Sequence, residues 1–275
     1  MNIHYTSINT GSNGNCFYIG NAGEAILVDV GIRKSVLLSR MESLGLSMNE
    51  IKGIFITHEH SDHIFGLRTL LNEFSIPIYT TPECYQQIRH LMPEELFRPI
   101  AANDQIAFQQ FRVKSFAKQH DAANPFSIVV ESGSGNIGVI TDCGMLCHSL
   151  VNHFQQCQVV FLESNYCPEM LDNGRYPKFL KHRIKGGLGH LSNRQAKELV
   201  ISHRHPQLQH LILSHLSGNN NRPQLVSDTF SGFESDFKVT VASRDINTDL
   251  FVLGEITVRK QTLRVEAPQQ LGLWE

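Results

Sequence analysis

Short apolar runs recur along this chain, and several end on a polar residue that could carry chemistry. Ala25-Ile26-Leu27-Val28 stops at Asp29, Ile137-Gly138-Val139-Ile140-Thr141 at Asp142, and Leu211-Ile212-Leu213 at Ser214-His215, while Val159-Val160-Phe161-Leu162 is a further apolar run. Their β-branched, aromatic and leucine content reads as strand, and Ile54-Phe55-Ile56-Thr57 reads as a buried strand leading into a loop. Further strands are predicted at Ile76 to Tyr79, through Phe108 and Val113, at Phe126 to Val130, at Ile137 to Ile140 and at Val239 to Val241. Ser132-Gly133-Ser134-Gly135-Asn136 is a hairpin signal, and Thr10-Gly11-Ser12-Asn13-Gly14-Asn15 a Gly/Asn-rich turn. Helical patterns fall near 33–44, over 67–74, from Pro82, near 147–156, from Ser192 and after Pro223. Ser192 with Gln195 three positions on is a capping-box signature. The alternation predicts an α/β fold, with residues 256–275 as an appended strand and tail. No internal repeat or low-complexity linker interrupts it.

Composition narrows the classes. A chain of 275 residues can bury the core of one large α/β domain or two small ones. Its 41% hydrophobic and 18% charged content is that of a globular protein. No apolar run reaches the ~20 residues of a membrane span, and the start Met1-Asn2-Ile3-His4-Tyr5 lacks a signal-peptide pattern. A cytoplasmic location without membrane attachment is therefore expected. Cys16, Cys84, Cys143, Cys147, Cys157 and Cys167 form no C-x-x-C pair and are expected as free thiols. The formal charge is only −2, yet Arg175 to His205 holds eight Lys or Arg against one acid, Glu198. Such a run attracts a polyanion if it forms one surface; otherwise it is a solvated basic face.

The strongest candidate chemistry is His58-Glu59-His60-Ser61-Asp62-His63. Imidazoles and a carboxylate crowded at a strand end suit zinc, manganese or iron. His120, Asp142 and His215 each close another strand-like segment, where an α/β scaffold builds its site. Two cations ~3.5–4 Å apart can share a hydroxide that is nucleophilic at neutral pH. That chemistry serves phosphodiesters, esters, thioesters and lactams alike, so the ligands alone name a hydrolase without its substrate.

The His-x-His-x-Asp-His motif followed by a distant His, Asp and His resembles the metallo-β-lactamase fold superfamily over residues 1–255. The resemblance implies an αβ/βα four-layer sandwich of two mixed sheets. It implies one cation on His58, His60 and His120, a second on Asp62, His63 and His215, and Asp142 between them. Zinc is the first choice of metal, with manganese or iron as alternatives. Asp29, in an Asp-x-Gly element, braces the site. Gly189-His190-Leu191-Ser192-Asn193 resembles the phosphodiesterase branch, where His190 would contact the scissile phosphate and protonate the leaving oxygen while Asp62 orients the nucleophile. More closely, the Thr10–Cys16 turn, Glu163-Ser164-Asn165, Gly174-Arg175-Tyr176-Pro177 and Ser214 to Asn221 are similar to the YycJ (WalJ)-like family of bacterial proteins. That similarity implies a nuclease with 5′-to-3′ exonuclease activity, on DNA rather than RNA, with Asn165 and Asn220 as substrate contacts; Arg183 and Lys185, in the basic run around His190, are further candidates for contact with the substrate. A small cyclic or nucleotide phosphodiesterase is the alternative, and a thioester or lactone hydrolase the next. The Asp142–His215 interval is too short for the inserted domain of RNase J-type nucleases.

Overall fold

The computed structural model of the protein describes residues 2–255; the segment 256–275, predicted as strand and tail, lies outside the described residues. The strands are β1 (His4–Asn9), β2 (Cys16–Gly20), β3 (Ala25–Val28), β4 (Ile51–Phe55), β5 (Ile78–Thr80), β6 (Phe97–Pro99) and β7 (Gln105–Ala107). There follow β8 (Phe111–Ala117), β9 (Phe126–Ser132), β10 (Gly135–Ile140), β11 (Val159–Glu163), β12 (His210–Ser214), β13 (Lys238–Val241) and β14 (Phe251–Val252). The helices are α1 (Lys34–Ser43), α2 (Ser61–Ile64), α3 (Leu67–Leu71), α4 (Pro82–Ile88) and α5 (His148–Phe154). The remaining ones are α6 (Pro168–Asn173), α7 (Lys178–Lys185), α8 (Asn193–His203) and α9 (Pro223–Thr229).

Two mixed sheets form, in the orders β14-β1-β2-β3-β4-β5-β6 and β13-β12-β11-β10-β9-β8-β7. The continuous apolar runs have a simple origin: both faces of these strands are covered, so both phases of the two-residue alternation must be apolar. In β3, Ile26 and Val28 enter the core between the sheets while Ala25 and Leu27 face α1, α3 and α4. In β11, Val159 and Phe161 face between the sheets, and Val160 and Leu162 pack with Leu150, Phe154, Leu199 and Val226 of α5, α8 and α9. The result is the expected four-layer order of helices, sheet, sheet and helices.

Parallel pairing of β3 with β4, β4 with β5, β10 with β11 and β11 with β12 brings the carboxyl ends of these strands to one edge of each sheet, where ligands gather in such folds. The capping box on α8 is present with both of its bonds. Differences from the pattern reading have local causes. β4 ends at Phe55; beyond it Ile56 still donates to the Tyr79 carbonyl, but Thr57 turns to Asp29. β1, β2, α6 and α7 were not anticipated. β1 carries polar residues that are nonetheless buried, and α7 holds no fully buried residue, so neither shows the expected periodicity. No helix among the described residues is long and apolar enough to cross a membrane.

The inter-sheet core is closed by aromatic contacts. Phe161 lies 5.0 Å from the Phe17 ring centre and 6.1 Å, edge-on, from that of Tyr5. All three rings are fully buried. Phe161→Ala leaves a cavity between the sheets, and the expected loss of stability in urea unfolding is about 3–5 kcal/mol. A change below about 1 kcal/mol contradicts this packing.

Candidate metal centre

Six strand ends or the turns after them contribute side chains to one buried cluster. Three of these turns carry non-glycine residues in the left-handed region: Asp29, Asp142 and His215, with φ of 61°, 55° and 57°. Residues with a Cβ seldom adopt it, so the surroundings must hold them there. The His215 amide donates to Thr10 Oγ1 at 2.8 Å. Lys118, buried, donates to the Thr141 carbonyl at 2.9 Å, beside Asp142. The Asp29 carboxylate accepts from the Thr57 amide at 2.8 Å and from the Thr57 hydroxyl at 3.0 Å.

The hydrogen bonds decide which nitrogen of each histidine faces inward. Since the Thr57 hydroxyl donates to Asp29, its oxygen accepts from His58 Nδ1 at 2.9 Å. His63 Nδ1 donates to Asp29 at 2.7 Å, His120 Nδ1 to the Gly189 carbonyl at 3.0 Å, and His215 Nδ1 to Glu163 at 2.9 Å. Each outer N–H is thus occupied, which leaves the Nε2 lone pair of His58, His63, His120 and His215 for the cluster. His60 turns its Nδ1 toward His120 Nε2, 3.2 Å away.

Donor atoms of His58, His60 and His120 converge as one group, and those of Asp62, His63 and His215 as another. Asp142 lies between them: Oδ2 is 3.2 Å from His63 Nε2, and Oδ1 is 3.3 Å from His215 Nδ1 and 3.9 Å from His120 Nε2. Burial works against a charge on His63, but Asp29, Asp142 and Asp62 override it and raise its pKa to about 10. Burial likewise opposes the Asp62 carboxylate, yet His63 and His215 bring it down to about 2. Burial first, then the charges of His63 and Lys118, hold His58 well below its ordinary value, so it is neutral, as a ligand must be. His58 Nε2 and Asp142 Oδ2 are buried atoms with no hydrogen-bond partner among the described residues. Such atoms are costly to bury unless something binds them. An N/O donor set with orphaned inward lone pairs fits divalent metal ions.

Glu163 is the residue that sequence reasoning left without a role. Fully buried, its Oε1 accepts from His190 Nδ1 at 2.8 Å and from His215 Nδ1 at 2.9 Å. Its Oε2 accepts from the Cys143 and Leu191 amides at 2.9 and 3.0 Å. Burial would raise its pKa, but the contacts with His190 and His215 lower it to about 2. The signal was present, since Glu163 ends an apolar strand as the other candidates do. Asn15 was also missed. Its amide lies 3.1 Å from His63 Nε2, and its backbone N–H donates to the Asp62 carbonyl at 2.7 Å. A Cβ on Gly31 would overlap that same carbonyl, which accounts for the glycine in Asp29-Val30-Gly31. Glu59 accepts from the Ala123 amide at 2.9 Å and fixes the loop after His120.

The structure therefore brings together His58, His60, Asp62, His63, His120, Asp142, His190 and His215, with Asp29 behind them. Of the expected substrate contacts, the two asparagines are buried and the two cations are exposed but paired with carboxylates. Asn165 is buried and donates to the His215 carbonyl at 2.8 Å, and Asn220 is buried. Arg183 is paired with Asp121 and Lys185 with Asp172. Arg194 and Arg204 pair with Glu169 and Asp236, so much of the basic run is neutralised locally.

Residues 24–215 match the model of the β-lactamase superfamily domain. The chain is 31% identical over 228 residues to exodeoxyribonuclease YycJ of Bacillus anthracis, covering 82% of this chain and 86% of the relative. It is 28% identical over 266 residues to exodeoxyribonuclease WalJ of Streptococcus pneumoniae, covering 91% and 98%. Among solved structures it is similar to the metallo-β-lactamase fold protein YhfI of Bacillus subtilis, with TM-score 0.64 and 16% identity over 91% of this chain and 99% of that one. A family match across most of the chain, with a relative of this identity and span, means that the protein belongs to the metallo-β-lactamase superfamily, in its YycJ/WalJ-like group, as a metal-dependent hydrolase.

Proposed function

We propose that the protein is a nuclease that hydrolyses phosphodiester bonds in DNA, exonucleolytically and in the 5′-to-3′ direction. The observation that carries this reading is the His190–Glu163–His215 chain. Glu163 accepts from His190 Nδ1 and anchors His215 through the same oxygen, so a free imidazole nitrogen is set at a fixed distance from the metal cluster. His190 is partly exposed, its side chain at 20%, whereas the cluster histidines His58, His63, His120 and His215 are buried. With Nδ1–H held by Glu163, the imidazolium form donates through Nε2 to a phosphate oxygen or a leaving alkoxide and so becomes the neutral imidazole. The exodeoxyribonuclease names of the two relatives support the same substrate class.

His58, His60 and His120 would hold one cation, Asp62, His63 and His215 a second, with Asp142 shared; zinc suits this donor set best, and manganese or iron also fit. When bound, divalent cations supply Lewis acidity, withdrawing charge from a phosphate ester and acidifying water. The chain's own groups do the rest. Asp62, with its side chain 21% exposed, accepts a proton from the attacking water and orients it. His190 binds the scissile phosphate and protonates the leaving oxygen. Glu163 fixes the orientation of the His190 ring by accepting from its Nδ1, and Asp29 does the same for His63.

End-labelled duplex and single-stranded DNA, incubated with zinc-, manganese- or iron-loaded protein, tests the reading. Stepwise loss of nucleotides from 5′ ends is expected, and no cleavage with any of these metals rejects it. His190→Ala is expected to lower kcat by about 10²–10⁴-fold while metal content is unchanged. Loss of metal in that variant would make His190 a ligand instead. Glu163→Gln removes the acceptor charge and is expected to lower kcat more than it raises KM.

Cation binding must displace the proton that the carboxylates hold on His63, whose cation-free pKa is about 10. Affinity should therefore fall as pH falls, by about tenfold per pH unit for each proton displaced between about pH 8 and pH 6. Competition with a chromophoric chelator measures it, and a pH-independent affinity contradicts this site.

A further inference from the structure

Not every cation near the metal cluster is free to meet a substrate. On α7, Arg183 and Lys185 are paired with Asp121 and Asp172. Elsewhere a cleft of about 300 Å³ opens, walled by Asn13, Gly31, Arg33, Phe65, Arg244 and Asp245 among others. Three of its residues lie close to the segments that carry metal ligands. Gly31 is pressed against the Asp62 carbonyl. Phe65 follows His63 by two residues, at the end of α2, and is 60% exposed. Arg244 lies across Gly218 in the loop after His215, where any Cβ on Gly218 would overlap the guanidinium.

The cations of this cleft are in different states. Arg40 is committed to the fold: it donates to the Ile8 carbonyl at 2.8 Å, to the Asn9 side chain and to the Asp245 carbonyl. The Arg244 carbonyl accepts from Asn13 at 2.8 Å, which fixes its backbone but leaves the guanidinium unused. Neither Arg33 nor Arg244 has a carboxylate partner among the described residues. Two unpaired guanidinium groups and a solvent-exposed ring thus share a cleft that abuts Asp62 and His215. Phe65 is one of several exposed large apolar side chains; what sets it apart is that it shares this cleft with both arginines, one residue past the helix that carries Asp62 and His63.

We propose that this cleft holds the nucleic-acid strand adjoining the scissile bond, with Arg33 and Arg244 on backbone phosphates and Phe65 stacked on a base. The inference rests on the nuclease reading above and adds a path for the strand. Guanidinium forks match phosphate oxygens, and an exposed ring stacks any unpaired base. Contacts of these two kinds carry no base-edge readout, so the cleft grips a single strand without sequence preference. Asp245, on the cleft wall, lies against Arg40, whose guanidinium donates to its carbonyl.

The test is binding of a fluorescein-labelled, cleavage-resistant phosphorothioate oligothymidylate of about 12 nucleotides to metal-loaded protein, followed by anisotropy across a salt series. Arg33→Ala with Arg244→Ala is expected to weaken binding at least about tenfold and to reduce the slope of log K against log salt by about 1.4, since two single-strand phosphate contacts are lost. Phe65→Ala is expected to weaken it about tenfold with the slope unchanged, and Phe65→Trp to restore it. Arg33 and Phe65 are exposed, so Arg33→Glu and Phe65→Ala report on the cleft whether or not Arg244→Ala folds. Wild-type binding that all these variants retain within about twofold overturns the cleft and leaves the nuclease reading standing. Failure of the wild type to bind any oligonucleotide overturns both.

Discussion

Burying Asp29, Asp142 and Glu163 beside six imidazoles, with Asp62 half-buried at the rim, is the constraint that shapes this molecule. Charged groups removed from water are tolerated only when paired and hydrogen-bonded. Here the pairing is directional: four histidines spend their outer N–H on Thr57, Asp29, the Gly189 carbonyl and Glu163, and so turn their inner nitrogens toward one another. Left as they stand, those inner nitrogens and the unpartnered Asp142 Oδ2 are a liability. Divalent cations turn the same arrangement into a satisfied one.

The two sheets divide this task. The first contributes Asp29 after β3 and the run His58 to His63 after β4; the second contributes His120, Asp142, Glu163 and His215 from β8, β10, β11 and β12. Each donor group therefore takes residues from both sheets, and how closely its donors converge depends on how closely the sheets pack. The aromatic contacts of Phe161 with Phe17 and Tyr5 act on the site at a distance, as spacers of its two halves. Left-handed backbone at Asp29, Asp142 and His215 completes the convergence, because a strand continued straight would carry each side chain past the centre.

Much of this was legible in the sequence. Each apolar run that ended on a chemically capable residue became a strand delivering that residue, and the single dense motif after β4 anchored the rest. Short or polar elements were not legible. β1 buries Thr6, Ser7 and Asn9 through tertiary hydrogen bonds, among them those of Thr6 and Ser7 to Thr248, and no local pattern encodes such a partner. Charge counting over Arg175 to His205 also fell short, because Asp121, Asp172, Glu169 and Asp236 come from other segments to meet it. The Asn165 and Asn220 expectations failed for a related reason: a polar turn next to a site can serve to hold its backbone, as Asn165 does for His215.

The most direct measurement is anomalous diffraction at the metal absorption edge from crystals grown with zinc or manganese. The expected result is two peaks, one among His58, His60 and His120 and one among Asp62, His63 and His215, with Asp142 touching both. An empty cluster in protein that is loaded with metal elsewhere would contradict the account.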